Sequence, residues 1–191
     1  MSVLIAGLVL FLGVHSIAIV APGLRSQAFV RLGEGGWKGA YGIASLIGLA
    51  LIVYGFGLAR AAPVILYVPP IWVRHVALLL MVPVFPLLLA AYLPGRIKSA
   101  AKHPMLAAVK FWALAHLLAN GRLADVALFG AFLAWAVADR ISLKRRAPQP
   151  LRTAPPGRWN DPIAVVFGLA IYVFFVTWAH LRLFGLSPLA G

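Results

Sequence analysis

Residues 2–21 read SVLIAGLVLFLGVHSIAIVA, an unbroken apolar run in which His15 is the one side chain able to carry charge. A helix of about twenty residues rises about 30 Å, which matches the hydrocarbon thickness of a bilayer. The run is too long for the apolar core of a secretory signal, and no basic segment precedes it. It therefore reads as a retained first span.

The pattern recurs along the chain. Apolar windows of similar length fall at 40–59, 71–93, 122–141 and 162–184. A shorter one, 104–119, carries Lys110 and ends at Asn120-Gly121, a helix-stopping and turn-forming pair. The composition agrees, with 63% of the 191 residues apolar and 11% charged and a mean hydropathy of +0.96. A soluble domain of this size has too little interior to hide that much apolar surface, whereas lipid solvates it. The expectation is an all-α integral membrane protein, a bundle of about six transmembrane helices. Residues 1–191 form one transmembrane domain in this reading, with a basic, Pro-rich cytoplasmic loop at about 142–161.

The net charge of +13 comes from 17 Lys and Arg against four acids. Most of the cations sit in alternate loops. Arg25, Arg31 and Lys38 lie in the first, and Arg96, Lys98 and Lys102 in the third. Arg140, Lys144, Arg145, Arg146, Arg152 and Arg158 lie in the fifth. The positive-inside rule places these loops in the cytoplasm and both termini in the periplasm of a bacterial inner membrane. With no aromatic-interleaved basic patch to track a phosphate backbone, the partners are anionic lipid headgroups and not nucleic acid. The absence of cysteine excludes disulfides, thiolate metal sites and cysteine catalysis.

Within the spans, Pro83 and Pro86 predict a kinked third helix. Gly42 and Gly48 predict close packing in the second. Asp161-Pro162 has the form of a helix start, with Asp as N-cap and Pro at the first helical position. Asp125 and Asp139 share a helical face but lie about 21 Å apart along it, too far to work as one acid–base pair.

The five histidines are the candidate chemistry, because an ionisable side chain inside lipid is costly to keep. His15 and His116 fall within spans, His75 and His180 near the outer face, and His103 at the cytoplasmic mouth. Trp112, His116 and Asn120 recur at helical spacing and share a face. Gly13 and Ser16, small residues beside His15, let another helix or a flat ligand approach. The bland reading of His15 and His116 is an interhelical hydrogen bond, which their local sequence supports no less well. Two imidazoles from different helices, without a cysteine or carboxylate cluster, suit the axial positions of b-type haem better than zinc. Depth counting sets His116 about 9 Å farther from the cytoplasm than His15, which keeps His103 as a substitute ligand.

Gly13-Val14-His15-Ser16, Lys102-His103-Pro104-Met105, the Trp112-x-x-x-His116-x-x-x-Asn120-Gly121 helix and Asp139-Arg140 together resemble the NnrU family over roughly residues 2–146. That family is named for genes accompanying nitrite and nitric oxide reductases in denitrifying bacteria. It includes the 15-cis-zeta-carotene isomerase of plants and cyanobacteria, a haem b membrane protein. The resemblance implies haem b as cofactor, with His15 and His116 at the positions of the isomerase's two iron ligands. It also implies either cis–trans isomerisation of a hydrophobic polyene or a redox or accessory role in denitrification beside a respiratory partner protein. The isomerase has a cysteine three residues before its second ligand. Ala113 stands there, so exchange of histidine for thiolate is closed to this chain.

A second resemblance is shorter. His103-Pro104 is similar to the Arg-His-Pro segment of isoprenylcysteine carboxyl methyltransferases, which bind S-adenosylmethionine near it. Those enzymes carry further glutamates, and the one Glu here is Glu34. A non-catalytic respiratory accessory protein is the third reading.

Overall fold

The computed structural model describes residues 1–146 and 153–189. Arg152 and the middle of the basic Pro-rich loop lie outside the described residues. Of the described residues 79% are helical. In order, the helices are α1 (Ser2–Val20), α2 (Pro22–Ala61), α3 (Val73–Met81), α4 (Val84–Tyr92) and α5 (Arg96–Ala101). Then come α6 (Pro104–Ala119), α7 (Leu123–Ser142), α8 (Asn160–Phe174), a π-helical turn (Phe175–Ala179) and α9 (His180–Phe184).

Large apolar side chains lie on the outside of these helices, as lipid permits and water does not. Val9 is 68% exposed, Val166 64% and Phe167 60%. Among the described residues four helices are long and apolar enough to cross a bilayer: Ser2–Val20, Pro22–Ala61, Val73–Tyr92 and Asn160–Phe184. The sequence pattern predicts about six, and two of those windows fall on helices that are shorter or more charged. Helix α6 has only 16 residues, and α7 carries Asp125, Asp139 and Arg140 within its 20. The protein is an all-α integral membrane protein.

The helices fall into two compact units, residues 1–67 with 121–142, and residues 68–120 with 143–191.

In the first unit α1 lies along α2, and α7 packs mainly on α1. The α1–α2 seam depends on glycine. A Cβ added at Gly7 would meet the Ile52 backbone nitrogen at 2.6 Å, and one at Gly48 the Phe11 backbone nitrogen at 2.8 Å. One at Gly55 would collide with the Leu4 backbone. Leu4 is fully buried there, with Leu8 and Ile52 beside it. Gly42 faces open space, so of the two glycines expected to pack closely only Gly48 does. The segment carrying Arg25 and Arg31, expected as a loop, is helical from Pro22. Pro22 supplies the first-turn geometry, and the helix breaks at Gly33, whose φ of 69° suits glycine alone. The unit closes where Leu66 N–H donates to the Gly121 carbonyl (2.8 Å) and Leu123 N–H to that of Val64 (2.8 Å).

In the second unit α4 packs on α8 and α6, and α3 packs on α6. The predicted kink is a break between α3 and α4 at Val82-Pro83. Proline has no N–H, and Val82 N–H turns to the Leu79 carbonyl at 3.2 Å. The carbonyl of Leu78, stranded by that shift, accepts the Tyr172 hydroxyl of α8 at 2.9 Å. In lipid an unsatisfied carbonyl is expensive, so Tyr172→Phe is expected to cost about 1–2 kcal/mol of stability. Thermal unfolding in detergent measures it, and an unchanged midpoint would mean that another donor serves Leu78.

Asp161 corrects its expected role. Helix α8 starts two residues earlier, at Asn160 with Trp159 as N-cap. The Asp161 carboxylate instead caps a different helix, accepting Arg96 N–H at 2.7 Å and Ile97 N–H at 3.1 Å at the start of α5. Asn160 ties the same corner by donating to the carbonyls of Pro94 (2.8 Å) and Pro155 (3.0 Å).

Candidate functional site

The two span histidines belong to different units, and each unit builds its own surroundings.

In the first unit His15 sits in the C-terminal half of α1, half-buried. Its Nδ1 donates to the Phe11 carbonyl one turn back, at 2.7 Å. A carbonyl only accepts, so in the neutral ring Nδ1 holds the proton and Nε2 the lone pair. The imidazole stacks on Phe11, centroids 4.3 Å apart at 26°. Tyr41 of α2 lies 5.2 Å away. Trp135 of α7 stands perpendicular to the imidazole at 6.0 Å. Gly13 leaves open space beside the ring's helix. His15 is thus held by three helices through apolar and aromatic contacts, with its remaining nitrogen uncommitted within its own helix.

In the second unit His116 repeats the arrangement. Its Nδ1 donates to the Trp112 carbonyl at 2.8 Å, again leaving the lone pair on Nε2. The Trp112 ring lies 5.5 Å away. Ala113 and Ala115, at 0% and 1% exposure, let neighbours pack closely on two sides of the helix. Asn120 acts on the backbone: its Nδ2 donates to the His116 carbonyl at 2.9 Å, and its N–H to the same oxygen at 3.0 Å. The helix ends there, so Asn120 stabilises the turn that carries the imidazole. Trp112, His116 and Asn120 therefore do share one helical face, as their spacing predicts.

His103 is the N-cap residue of α6, thirteen residues before His116. Sequence reasoning set His180 aside as interfacial. In the structure it lies within electrostatic reach of His116, and its Nδ1 donates to the Leu186 carbonyl at 2.7 Å. A π-helical turn directly before it, Phe175–Ala179, re-aims the residues that follow, and no residue-level signal announces such a turn. Tyr41 and Trp135 were also missed. An aromatic residue in an apolar helix looks like ordinary packing until its neighbours are known.

Among the described residues no three His, Cys, Asp or Glu side chains gather into a group able to hold a bare metal ion. A metal held by these residues would thus have to bring most of its donors with it. A macrocycle that supplies four equatorial nitrogens and asks the protein for axial imidazoles meets that condition. The residues present fit haem in this respect, with neutral imidazoles held through Nδ1 and apolar walls around them.

The family model described as NnrU protein matches residues 3–188. The chain belongs to the NnrU family. The match takes in nearly the whole chain, from α1 to α9, and includes all five histidines of this NnrU protein. Neither a curated protein nor a solved structure matches it.

Proposed function

We propose that this NnrU protein binds haem b through His15 and His116 in a bacterial inner membrane, with both termini periplasmic. The observation that carries the reading is the shared device at the two histidines. Each spends Nδ1–H on the carbonyl four residues earlier and keeps Nε2 as a lone pair. An iron ligand requires that tautomer.

Bound haem would supply an iron that cycles between two oxidation states in an apolar setting. The protein's part is to hold and orient. Phe11 and Trp112 fix the imidazole planes through their carbonyls and rings. Asn120 secures the end of α6. The lipid-facing surface keeps water away and admits apolar molecules. Such a site serves electron transfer beside a respiratory partner, as in denitrification, or cis–trans isomerisation of a hydrophobic polyene. Anionic headgroups would meet the basic loops. Nothing in the geometry favours the methyltransferase alternative: Glu34 is exposed and paired with Lys38 on the next turn.

The test is an absorption spectrum of detergent-purified protein, air-oxidised and then reduced with dithionite. A Soret band with sharp reduced-state bands is expected. A preparation that stays colourless after haem is added ends the reading.

A further inference from the structure

Residues 22–32 form a helix of their own between two membrane spans. Ala21, at φ −142° and ψ 60°, ends α1 before them, and Gly33, at φ 69° and ψ 174°, breaks α2 after them. Ala21 alone separates the segment from the span Ser2–Val20. At the other end Gly33 lies seven residues before the apolar run at 40–59, about 10 Å along a helix. Both ends are thus tied to the membrane surface.

The side chains suit that place. At about 100° of turn per residue, Leu24, Ala28 and Leu32 form a stripe about 80° wide, with Arg31 just past one edge and Arg25 just past the other. Ser26, Gln27 and Val30 lie opposite. Ala28 is half-buried and Val30 is 84% exposed, so the stripe is the inward face. Leu24 and Leu32 nevertheless stay 63% and 55% exposed, apolar area that the protein itself does not cover. Acyl chains can cover it, because a helix of this kind sinks its apolar stripe to the boundary between headgroups and tails. The arginines at the stripe's edges have stems long enough to reach outward to phosphates. No acid occurs between Pro22 and Gly33, so a second copy of the helix would meet like charge, and an anionic surface would meet its opposite. Arg25 also stands in the first turn of α2, where the helix dipole disfavours a cation, and an anion beside it offsets that cost.

We propose that residues 22–32 lie along the membrane in the headgroup layer, on the side of the basic loops. Leu24 and Leu32 rest on the acyl chains, and Arg25 and Arg31 hold phosphates of anionic phospholipids. The inference stands apart from the haem reading and gives this connection a lipid-binding role of its own.

The full-length protein has no cysteine, so Leu24→Cys, Ser26→Cys, Val30→Cys and Leu32→Cys each take a single fluorophore. The four are reconstituted in vesicles of mixed phosphatidylcholine and phosphatidylglycerol, with iodide on both sides of the membrane or bromine on the acyl chains as quencher. Labels at Leu24→Cys and Leu32→Cys should be quenched by bromine and shielded from iodide, and those at Ser26→Cys and Val30→Cys the reverse. Brominating one lipid at a time should show phosphatidylglycerol enriched beside the label at Leu32→Cys. Arg31→Gln should lower that preference about fivefold, and Arg31→Lys should keep it. Four labels equally open to iodide would overturn the proposal, leaving the helix in water. Four labels shielded from both quenchers would overturn it as well, since protein then covers the segment. A preference for phosphatidylglycerol that survives Arg25→Gln and Arg31→Gln together would remove the two arginines from the headgroups and end the proposal in this form.

Discussion

Replacing His116 with alanine is expected to convert a six-coordinate low-spin haem into a high-spin one and to weaken haem retention by at least about a hundredfold. The chain would offer a haem iron little else. No cysteine exists, and Ala113 occupies the position one turn before His116. The His116 ring is half-buried on a helix held by fully buried Ala113 and Ala115, so truncation leaves a gap that its neighbours cannot close cheaply. Imidazole added at millimolar concentration should enter that gap and restore the low-spin spectrum. His15→Ala should behave alike. His103→Ala, which alters only the residue before α6, should keep the wild-type spectrum. Wild-type spectra in both His15→Ala and His116→Ala would rule out this ligand pair.

The second large effect is on stability. Gly55→Leu should separate α1 from α2 and cost about 3 kcal/mol or more. The obstacle is backbone: even a Cβ at Gly55 would run into Leu4 N and the Val3 carbonyl carbon, atoms that no rotamer change can move aside. Inside a bilayer there is no hydrophobic gain from pressing helices together, and tight van der Waals contact does most of the holding. Pushing the seam apart would forfeit the contacts of Leu4, Leu8 and Ile52 at once. Gly42→Leu and Gly57→Leu, where added atoms meet open space, should stay within about 0.5 kcal/mol of wild type. Unfolding in mixed detergent micelles measures all three. A Gly55→Leu protein as stable as the Gly57→Leu protein would show that the seam tolerates a wider spacing. Since α1 also carries His15 and α2 carries Tyr41, the same substitution should disturb the surroundings of the imidazole.

How much of this was written in the sequence depends on the range of the interaction concerned. The spans are legible because lipid rewards a long apolar run whatever it packs against. The histidines are legible because each is a lone ionisable group in such a run. Loops read less well: polarity marked the residues around Arg25 and Arg31 as a connection, yet Pro22 starts a helix there that lasts to Gly33. Hydropathy measures where a segment is wet and says nothing of its backbone. Asp161-Pro162 has the local form of a cap, and the residue does cap a helix, but α5, more than sixty residues earlier. Gly42 and Gly48 look equivalent by composition and differ only in what crosses them. Trp135 and Tyr41 needed the packing of α7 and α2 on α1 before they could be seen as part of a site.

Helix α6, with 16 residues, rises about 24 Å, some 6 Å short of a hydrocarbon layer of about 30 Å. Lys102 and His103 at one end and Asn120 at the other mark where polar groups begin. Around this helix the acyl chains must compress, or those polar ends must sit below the headgroups, at a cost of a fraction of a kcal/mol per ångström. Lipids with shorter tails remove the mismatch. Beside α6 the lipid thus meets a shorter apolar helix than at the four long spans, and the length of the surrounding fatty acids becomes a control on stability that no residue of the site provides.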